Sequence, residues 1–388
     1  MVSYAVRAAA VLAAFLAAAD IRPAAAEPKH LAPIPAATLA LMAARNTTAA
    51  APILIRAYKK EAELEVWKQA RDGRFVHLKT FPICRWSGQL GPKTRQGDRQ
   101  VPEGFYMVGP RQMNPNSAYY LSFDIGYPNA YDRAHGGSGA FLMVHGTCSS
   151  AGCFAMTDKA VGEIYAIARE ALAAGQPAFQ FQSYPFRMTA ENMARHRSDP
   201  NIAFWRQLKE GSDRFEAIRE EPAVGVSDGR YVFGPAKSPA KEALAKARIA
   251  DEKARIEALV KEGSAAVRTT YADGGQHPSF HALFRRGVSL GQVSRPEALA
   301  FAGREIVLIP GRRKQPTQLA DAKPAPEAKS LLQPVAWTPH KTRPNPLSRI
   351  DASAFAPTPV SYGPTWPMAF QAALPGSARI LPAALGAL

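Results

Sequence analysis

Cysteine is scarce in this sequence, three in 388 residues, and an odd count leaves at least one thiol without a partner in the chain. Acidic residues are short as well: 32 Asp and Glu stand against 48 Lys and Arg, a formal net charge of +16. A field of that sign attracts anionic polymers and surfaces. The basic residues are dispersed, without the aromatic-and-basic motifs of RNA and single-strand binders, which argues against nucleic acid as a partner. Beyond the N-terminus no apolar run is long enough to span a bilayer, and no internal repeat is present.

The N-terminus supplies what the rest lacks. Arg7 gives positive charge, Ala8 to Ala19 form a short apolar stretch, and Ala24-Ala25-Ala26 before Glu27 offers the small residues that signal peptidases accept. Residues 1–26 therefore read as a signal peptide, and the protein as exported to the periplasm, touching membrane only if that segment stays uncleaved. In that compartment the basic field faces envelope components. The compartment is also oxidising, so two of the three cysteines can pair.

The most informative stretch is Val144-His145-Gly146-Thr147-Cys148-Ser149-Ser150-Ala151-Gly152-Cys153-Phe154. A thiol is mostly protonated near neutral pH, so a nucleophilic cysteine needs a neighbouring base or field. His145, eight residues before Cys153, is the nearest candidate. Gly146 and Gly152 let the backbone turn sharply, and the amides of Gly152 and Cys153 are candidate donors to a developing oxyanion. Two rivals stand beside this reading. Free cysteine often packs as a small hydrophobe. His145, Cys148 and Cys153 are also zinc-ligand types, but a fourth ligand at recognisable spacing is missing, so no metal is assigned. If Cys153 is the nucleophile, Cys84 and Cys148 are left as the disulfide pair.

From Ile53 to about Gly234 aromatic and β-branched residues recur between Gly, Pro and Asn punctuation, the pattern of short strands and turns. Strands are expected at Leu64 to Trp67, Phe75 to Phe81, Gly104 to Val108, Tyr119 to Phe123, Phe141 to His145 and Gln180 to Met188. Thr157 or Asp158 can cap a helix whose apolar positions Val161, Ile164, Tyr165, Ala168 and Leu172 follow helical spacing up to Gly175 and Pro177. Asn192 to Leu208 reads as helix with a break near Pro200. The fold class is mainly β with helices, α+β. The expected organisation is a signal peptide over 1–26, a linker over 27–52, a catalytic domain over 53–235, a charged helix over 236–263 and a low-complexity, proline-rich, largely disordered tail over 264–388. Leu244, Ile249, Ile256, Leu259 and Val260 form the helix's thin apolar stripe, and Trp337, Trp366 and Phe370 are the tail's candidate docking residues.

At these residues a family resemblance emerges. His145-Gly146 followed by Ser150-Ala151-Gly152-Cys153 resembles the S/T-x-G-C motif of L,D-transpeptidases of the YkuD type, most closely the YafK-like branch. The segments Ser87 to Lys93, Gly97 to Tyr106, Tyr119 to Gly136 and Tyr184 to Thr189 are similar to that branch in the same order. The resemblance spans roughly residues 53–234 and implies a β-sandwich catalytic domain and a cysteine enzyme acting on peptidoglycan stem peptides in cell wall and cell shape biogenesis. It implies Cys153 as nucleophile, His145 as base, the Gly152 and Cys153 backbone as oxyanion region, and Ser150 as the hydroxyl lining the loop, with no cofactor. The histidine and arginine that flank the wider family's motif are replaced here by Ala151 and Ala155, a departure the YafK-like branch shares. Arg133, His135 and Tyr131 then become the candidates for substrate contact. The thioester's acceptor is left open: an amine gives a transpeptidase, water gives an amidase that releases peptide or a peptidoglycan-linked lipoprotein. A non-catalytic, peptidoglycan-binding scaffold is the reading from a different class.

Overall fold

Two β-sheets packed through aromatic side chains carry the core. A computed structural model of the chain describes residues 28–312. The first sheet joins β1 (Ile53–Tyr58), β2 (Glu63–Gln69), β3 (Phe75–Pro82), β4 (Gly104–Val108) and β9 (Phe179–Tyr184) in the order β3-β2-β1-β9-β4. Only the β1–β9 pair is parallel. The second joins β5 (Met113–Asn114), β6 (Ser122–Asp124), β7 (Met143–His145) and β8 (Phe154–Ala155) in sequence order, with β7 and β8 parallel. Phe123 on β6 packs edge-on against Phe179 at 5.7 Å between centroids, and Phe154 on β8 lies 5.5 Å from Phe181. Alternating side chains put these rings on the inner faces, where offset and edge-to-face contacts add to area burial. The architecture is mixed α+β.

Between α1 (Ala36–Ala44) and the hairpins, the helices follow their local signals. Helix α2 (Ala130–Ala134) starts where the Asn129 side chain accepts from the Asp132 amide at 2.9 Å. Helix α3 (Asp158–Ala173) begins where the Thr157 hydroxyl accepts from the Ala160 amide at 3.2 Å. Its Val161, Ile164, Ile167 and Ala168 are buried against the sheets. The helical stretch around Pro200 divides into α4 (Ala190–Arg195) and α5 (Ile202–Ile218). A hairpin of β10 (Val224–Ser227) and β11 (Arg230–Phe233) follows. The charged helix α6 (Pro239–Lys261) buries little but Ala245; Leu244 and Val260 are exposed, while Ile256 packs on the core. Ion pairs fasten it to α5, Lys209 with Glu252 at 2.8 Å and Arg214 with Glu242 at 3.1 Å.

Two stretches differ from the sequence expectation. The expected linker over 27–52 contains α1, which sends Ile34 and Met42 into the core while Thr38 donates to Glu163. The first part of the expected tail is folded: β12 (Ala266–Thr270) pairs with β13 (Arg304–Ile309) around α7 (Pro278–Arg285). Tyr271 packs on Trp86 at 4.8 Å, and Phe280 lies in a cluster with Cys84 and Cys148. Long-range packing, not local periodicity, orders this segment. Residues 1–26 and the tail residues Trp337, Trp366 and Phe370 lie outside the described residues. Among the described residues no helix is long and apolar enough to cross a membrane.

Candidate functional site

The loop 146–153 leaves the second sheet after β7 and returns as β8. The parallel register sets Val144 beside Phe154 and His145 beside Ala155, so Cys153 falls next to Met143. The Met143 amide donates to Cys153 Sγ at 3.3 Å, and Cys153 is the free cysteine among the described residues. Cys84 and Cys148 form a disulfide with Cα atoms 5.3 Å apart, which ties the loop to the end of β3 and removes Cys148 as a thiolate ligand. Among the described residues no group of three or more His, Cys, Asp and Glu is placed to hold a metal.

His145 is buried at the end of β7. Its Nδ1 bonds the Gly146 carbonyl oxygen, and its ring lies on Tyr119, centroids 4.8 Å apart. Since a carbonyl only accepts, Nδ1 carries the proton and Nε2 is left as the basic nitrogen. Burial pushes the imidazole below its ordinary value, against the Gly146 bond and the Asp158 charge, which pull it up. At Cys153, burial and the Asp124 charge push the thiol up, while the Met143 amide and Lys93 pull it down. Both groups therefore rest neutral near pH 7.

Gly146 is a steric requirement. A Cβ there would meet Asp158 Oδ1 at 2.5 Å and the Tyr119 carbonyl oxygen at 2.8 Å, and the Gly146 amide donates to Tyr119 and Leu121. Gly146→Ala is expected to lower stability by about 1–3 kcal/mol, as overpacking does, and to displace Tyr119 from His145. Urea unfolding with tyrosine fluorescence checks both effects. Gly152 instead has φ +132°, a backbone region open to glycine.

The expected oxyanion amides are engaged elsewhere. Cys153 N–H donates to Ser150 Oγ at 3.1 Å and Gly152 N–H at 3.4 Å, while the Ser150 hydroxyl donates to the Cys153 carbonyl at 2.7 Å. Ser150 thus closes the loop on itself, a local side-chain bond of the kind serine favours in turns. Tyr131 and Arg133 lie on α2, and His135 is its C-terminal cap. Tyr131 stacks on Tyr231, Phe204 and His135 at 4.6, 5.0 and 4.2 Å. His135 Nδ1 bonds the Tyr131 carbonyl at 2.9 Å, and Arg133 donates to the Pro128 carbonyl. Their hydrogen bonds and ring contacts run to α2, α5 and the β10–β11 hairpin rather than to the Cys153 loop. The aromatic stack fixes Tyr131 and His135 there, and the short α2 turn holds Arg133.

Sequence reasoning missed the groups that act on the thiol, the Met143 amide, Asp124 and Lys93, and Arg99 with its partner Asp273, which hold the Ser150 carbonyl. The turn signal Asp273-Gly274-Gly275 was present in the sequence. It lay inside what was read as tail.

The scaffold and loop define a class: a mixed α+β protein with one free thiol two register positions from a buried, neutral histidine on the paired strand. No family model matches the chain. A protein of Escherichia coli K12 named "Putative L,D-transpeptidase YafK" is 48% identical over 181 residues, 47% of this chain and 73% of that protein. Its counterpart in Escherichia coli O157:H7 matches with the same figures. Among solved structures, the helical cell shape determining protein Pgp2 of Campylobacter jejuni aligns at 14% identity and a TM-score of 0.28, covering 60% of this chain and 80% of that one. Bd1075 of Bdellovibrio bacteriovorus aligns at 15% identity and a TM-score of 0.25, covering 57% and 75%. A likeness at those scores carries no argument. The sequence identity does: the chain belongs to the L,D-transpeptidase family, in its YafK-like branch.

Proposed function

We propose that the protein is an exported cysteine enzyme that transfers the acyl group of a peptidoglycan stem peptide through a thioester on Cys153. The observation that carries this reading is the joint placement of the free thiol and the histidine. Cys153 Sγ accepts from the Met143 amide, and two residues along the same strand His145 has its tautomer fixed by the Gly146 carbonyl. Such an arrangement gives the imidazole the protonation state of a general base and gives the sulfur a donor that stabilises negative charge.

In the first step His145 Nε2 takes the Cys153 proton while Sγ attacks the carbonyl carbon on the L-side of an L,D-peptide bond at meso-diaminopimelate. A C–S bond forms, the C–N bond breaks, and the departing amine takes the proton back from the imidazolium. In the second step an amine or water attacks the thioester carbonyl, loses a proton to His145, and releases the thiol. Neither step needs a cofactor. Incubation with defined disaccharide tetrapeptides, alone and with peptidoglycan-linked lipoprotein, tests the reading by mass spectrometry. New cross-links identify an amine acceptor, release of peptide or lipoprotein without a new bond identifies water, and absence of any adduct on Cys153 refutes the acyl-enzyme.

The rate should depend on pH in a definite way. A neutral thiol and neutral imidazole form the reactive pair, so protonating His145 removes the base at low pH, and the half-buried thiol ionises above its ordinary value. The acid limb of kcat/KM is expected below the ordinary histidine value of 6.5, because burial lowers His145. The alkaline limb is expected above the ordinary thiol value of 9.0. An acid limb at or above 6.5 would show that a group other than the buried His145 is the base.

A further inference from the structure

The segment after β12 wraps the back of the cysteine loop and is fastened at three places. At the first, Gly274 and Gly275 donate to the carbonyls of Gly88 and Trp86 at 2.6 and 3.0 Å. A Cβ on Gly274 would lie 2.0 Å from the Trp86 oxygen, so the turn sits directly on that backbone. This seats Asp273, 3% exposed, where it accepts from Arg99 at 2.7 Å and from the Gly88 amide at 3.1 Å. Arg99 in turn donates to the Ser150 carbonyl at 3.0 Å. At the second, Phe280 of α7 packs on the Cys84–Cys148 disulfide, with Leu283, Leu290 and Val293 around it. At the third, Ser294 Oγ accepts from the Ser150 amide at 2.9 Å and donates to the Ser150 carbonyl at 3.0 Å. The Arg85 guanidinium holds the Ser294 carbonyl at 3.0 Å.

The Arg99 and Ser294 bonds converge on the Ser150 backbone, and the Ser150 hydroxyl fixes the Cys153 backbone through both its N–H and its C=O. We propose that Ser294 and Asp273, which lie beyond the blocks that carry the family resemblance, are positioning residues for the Cys153 thiol. Ser294 holds Ser150 through both its amide and its carbonyl. Asp273, through Arg99, holds the same carbonyl. The segment 271–295 is thus an accessory clamp that keeps Sγ against the Met143 amide. The inference rests on Cys153 being the reacting group, as proposed above.

The clamp has a readout that needs no substrate. While the loop is held, Cys153 is half-buried and its thiol is raised by burial; the charged groups that bear on it are Asp124 of β6 and Lys93. Releasing Ser150 lets the thiol reach water, so its ionisation returns toward the ordinary value and its reaction with a small alkylating agent speeds up. The acyl-enzyme, which needs fixed geometry, forms more slowly. The experiment uses the full oxidised chain and follows iodoacetamide labelling of Cys153 across pH, alongside acyl-enzyme formation from a disaccharide tetrapeptide. Ser294→Ala is expected to label about three- to tenfold faster at pH 8, with its midpoint moved down, since thiolate fraction and access set the rate. Its acylation is expected to fall by about tenfold, within the range a small misplacement produces. Ser294→Thr, which keeps the hydroxyl, should restore both. Asp273→Asn, acting through Arg99, should move both readouts in the directions of Ser294→Ala.

A Ser294→Ala labelling profile that overlays the wild type overturns the proposal. So does a Ser294→Thr variant that behaves like Ser294→Ala. If Ser294→Ala loses its cooperative melt, Asp273→Asn decides on the same labelling criterion. Should the wild type form no acyl-enzyme, the proposed reaction fails while the labelling comparison still decides whether the clamp positions the thiol.

Discussion

Cys153→Ala is expected to abolish the acyl-enzyme and lower turnover by about 10⁴- to 10⁶-fold, the scale on which loss of a nucleophile acts, while leaving the fold intact. The sulfur accepts from the Met143 amide at 3.3 Å and donates to the Phe141 carbonyl at 3.9 Å, two bonds weak enough to lose without unfolding the loop. The loop keeps its shape through Ser150, Arg99 and the Cys84–Cys148 disulfide, none of which depends on Cys153 Sγ. His145→Ala should approach the same loss, because residues that act as a unit are not additive. It differs in one respect. Its thiol remains, so a slow acyl-enzyme that accumulates at alkaline pH is expected with His145→Ala and not with Cys153→Ala. Intact-mass measurement after incubation with substrate separates the two, and equal turnover in Cys153→Ala and wild type would refute the thioester.

What could be read in the sequence was what is local. Helix α3 was legible because one capping threonine and an apolar stripe at 3.6-residue spacing occur in a continuous stretch. The break between α4 and α5 was legible because Pro200 interrupts it. His145 and Cys153 stood out because each adjoins a glycine, Gly146 and Gly152, within nine residues. The partners of that loop were not legible, since Ser294 meets Ser150 across 144 positions and Asp273 meets Arg99 across 174. Nothing in the periodicity of residues 264–312 announces such contacts. Strand β13 has all its residues exposed, so it shows no alternating pattern. The surroundings of the Tyr131 block were equally hidden: Tyr131 stacks on Tyr231, 100 residues on, a contact that no local pattern announces. The Ser150 hydroxyl bonds the Cys153 backbone at both its N–H and its C=O, a pairing that the spacing alone does not show.

The second large effect concerns stability and lies beneath the segment that carries Arg99. Lys59 and Glu103 form an ion pair at 2.8 Å with both side chains 0% exposed. Glu103 also accepts from the Gly91 amide at 2.7 Å and from the Trp205 indole at 2.8 Å, while Lys59 donates to the Gly91 and Val101 carbonyls at 3.1 and 3.0 Å. The pair thereby pins both ends of the 91–103 excursion to β1 and α5. Glu103→Leu removes the countercharge and three acceptor contacts at once, and is expected to destabilise the fold by about 3–5 kcal/mol, as breaking a buried pair does. Burial already holds the Lys59 ammonium below its ordinary value, against the pull of Glu103. Without Glu103 the lysine is driven further down, so the folded variant binds fewer protons than the unfolded chain and gains stability as pH rises toward the ordinary lysine value of 10.5. Denaturant midpoints at pH 7 and pH 9.5 should therefore lie closer to wild type at the higher pH. Lys59→Met combined with Glu103→Leu removes both charges and should recover a large part of the loss, because an apolar pair carries no desolvation penalty. A single variant as unstable at pH 9.5 as at pH 7, with no recovery in the double variant, would show that the Gly91 and Trp205 hydrogen bonds, and not the buried charge, dominate at this site.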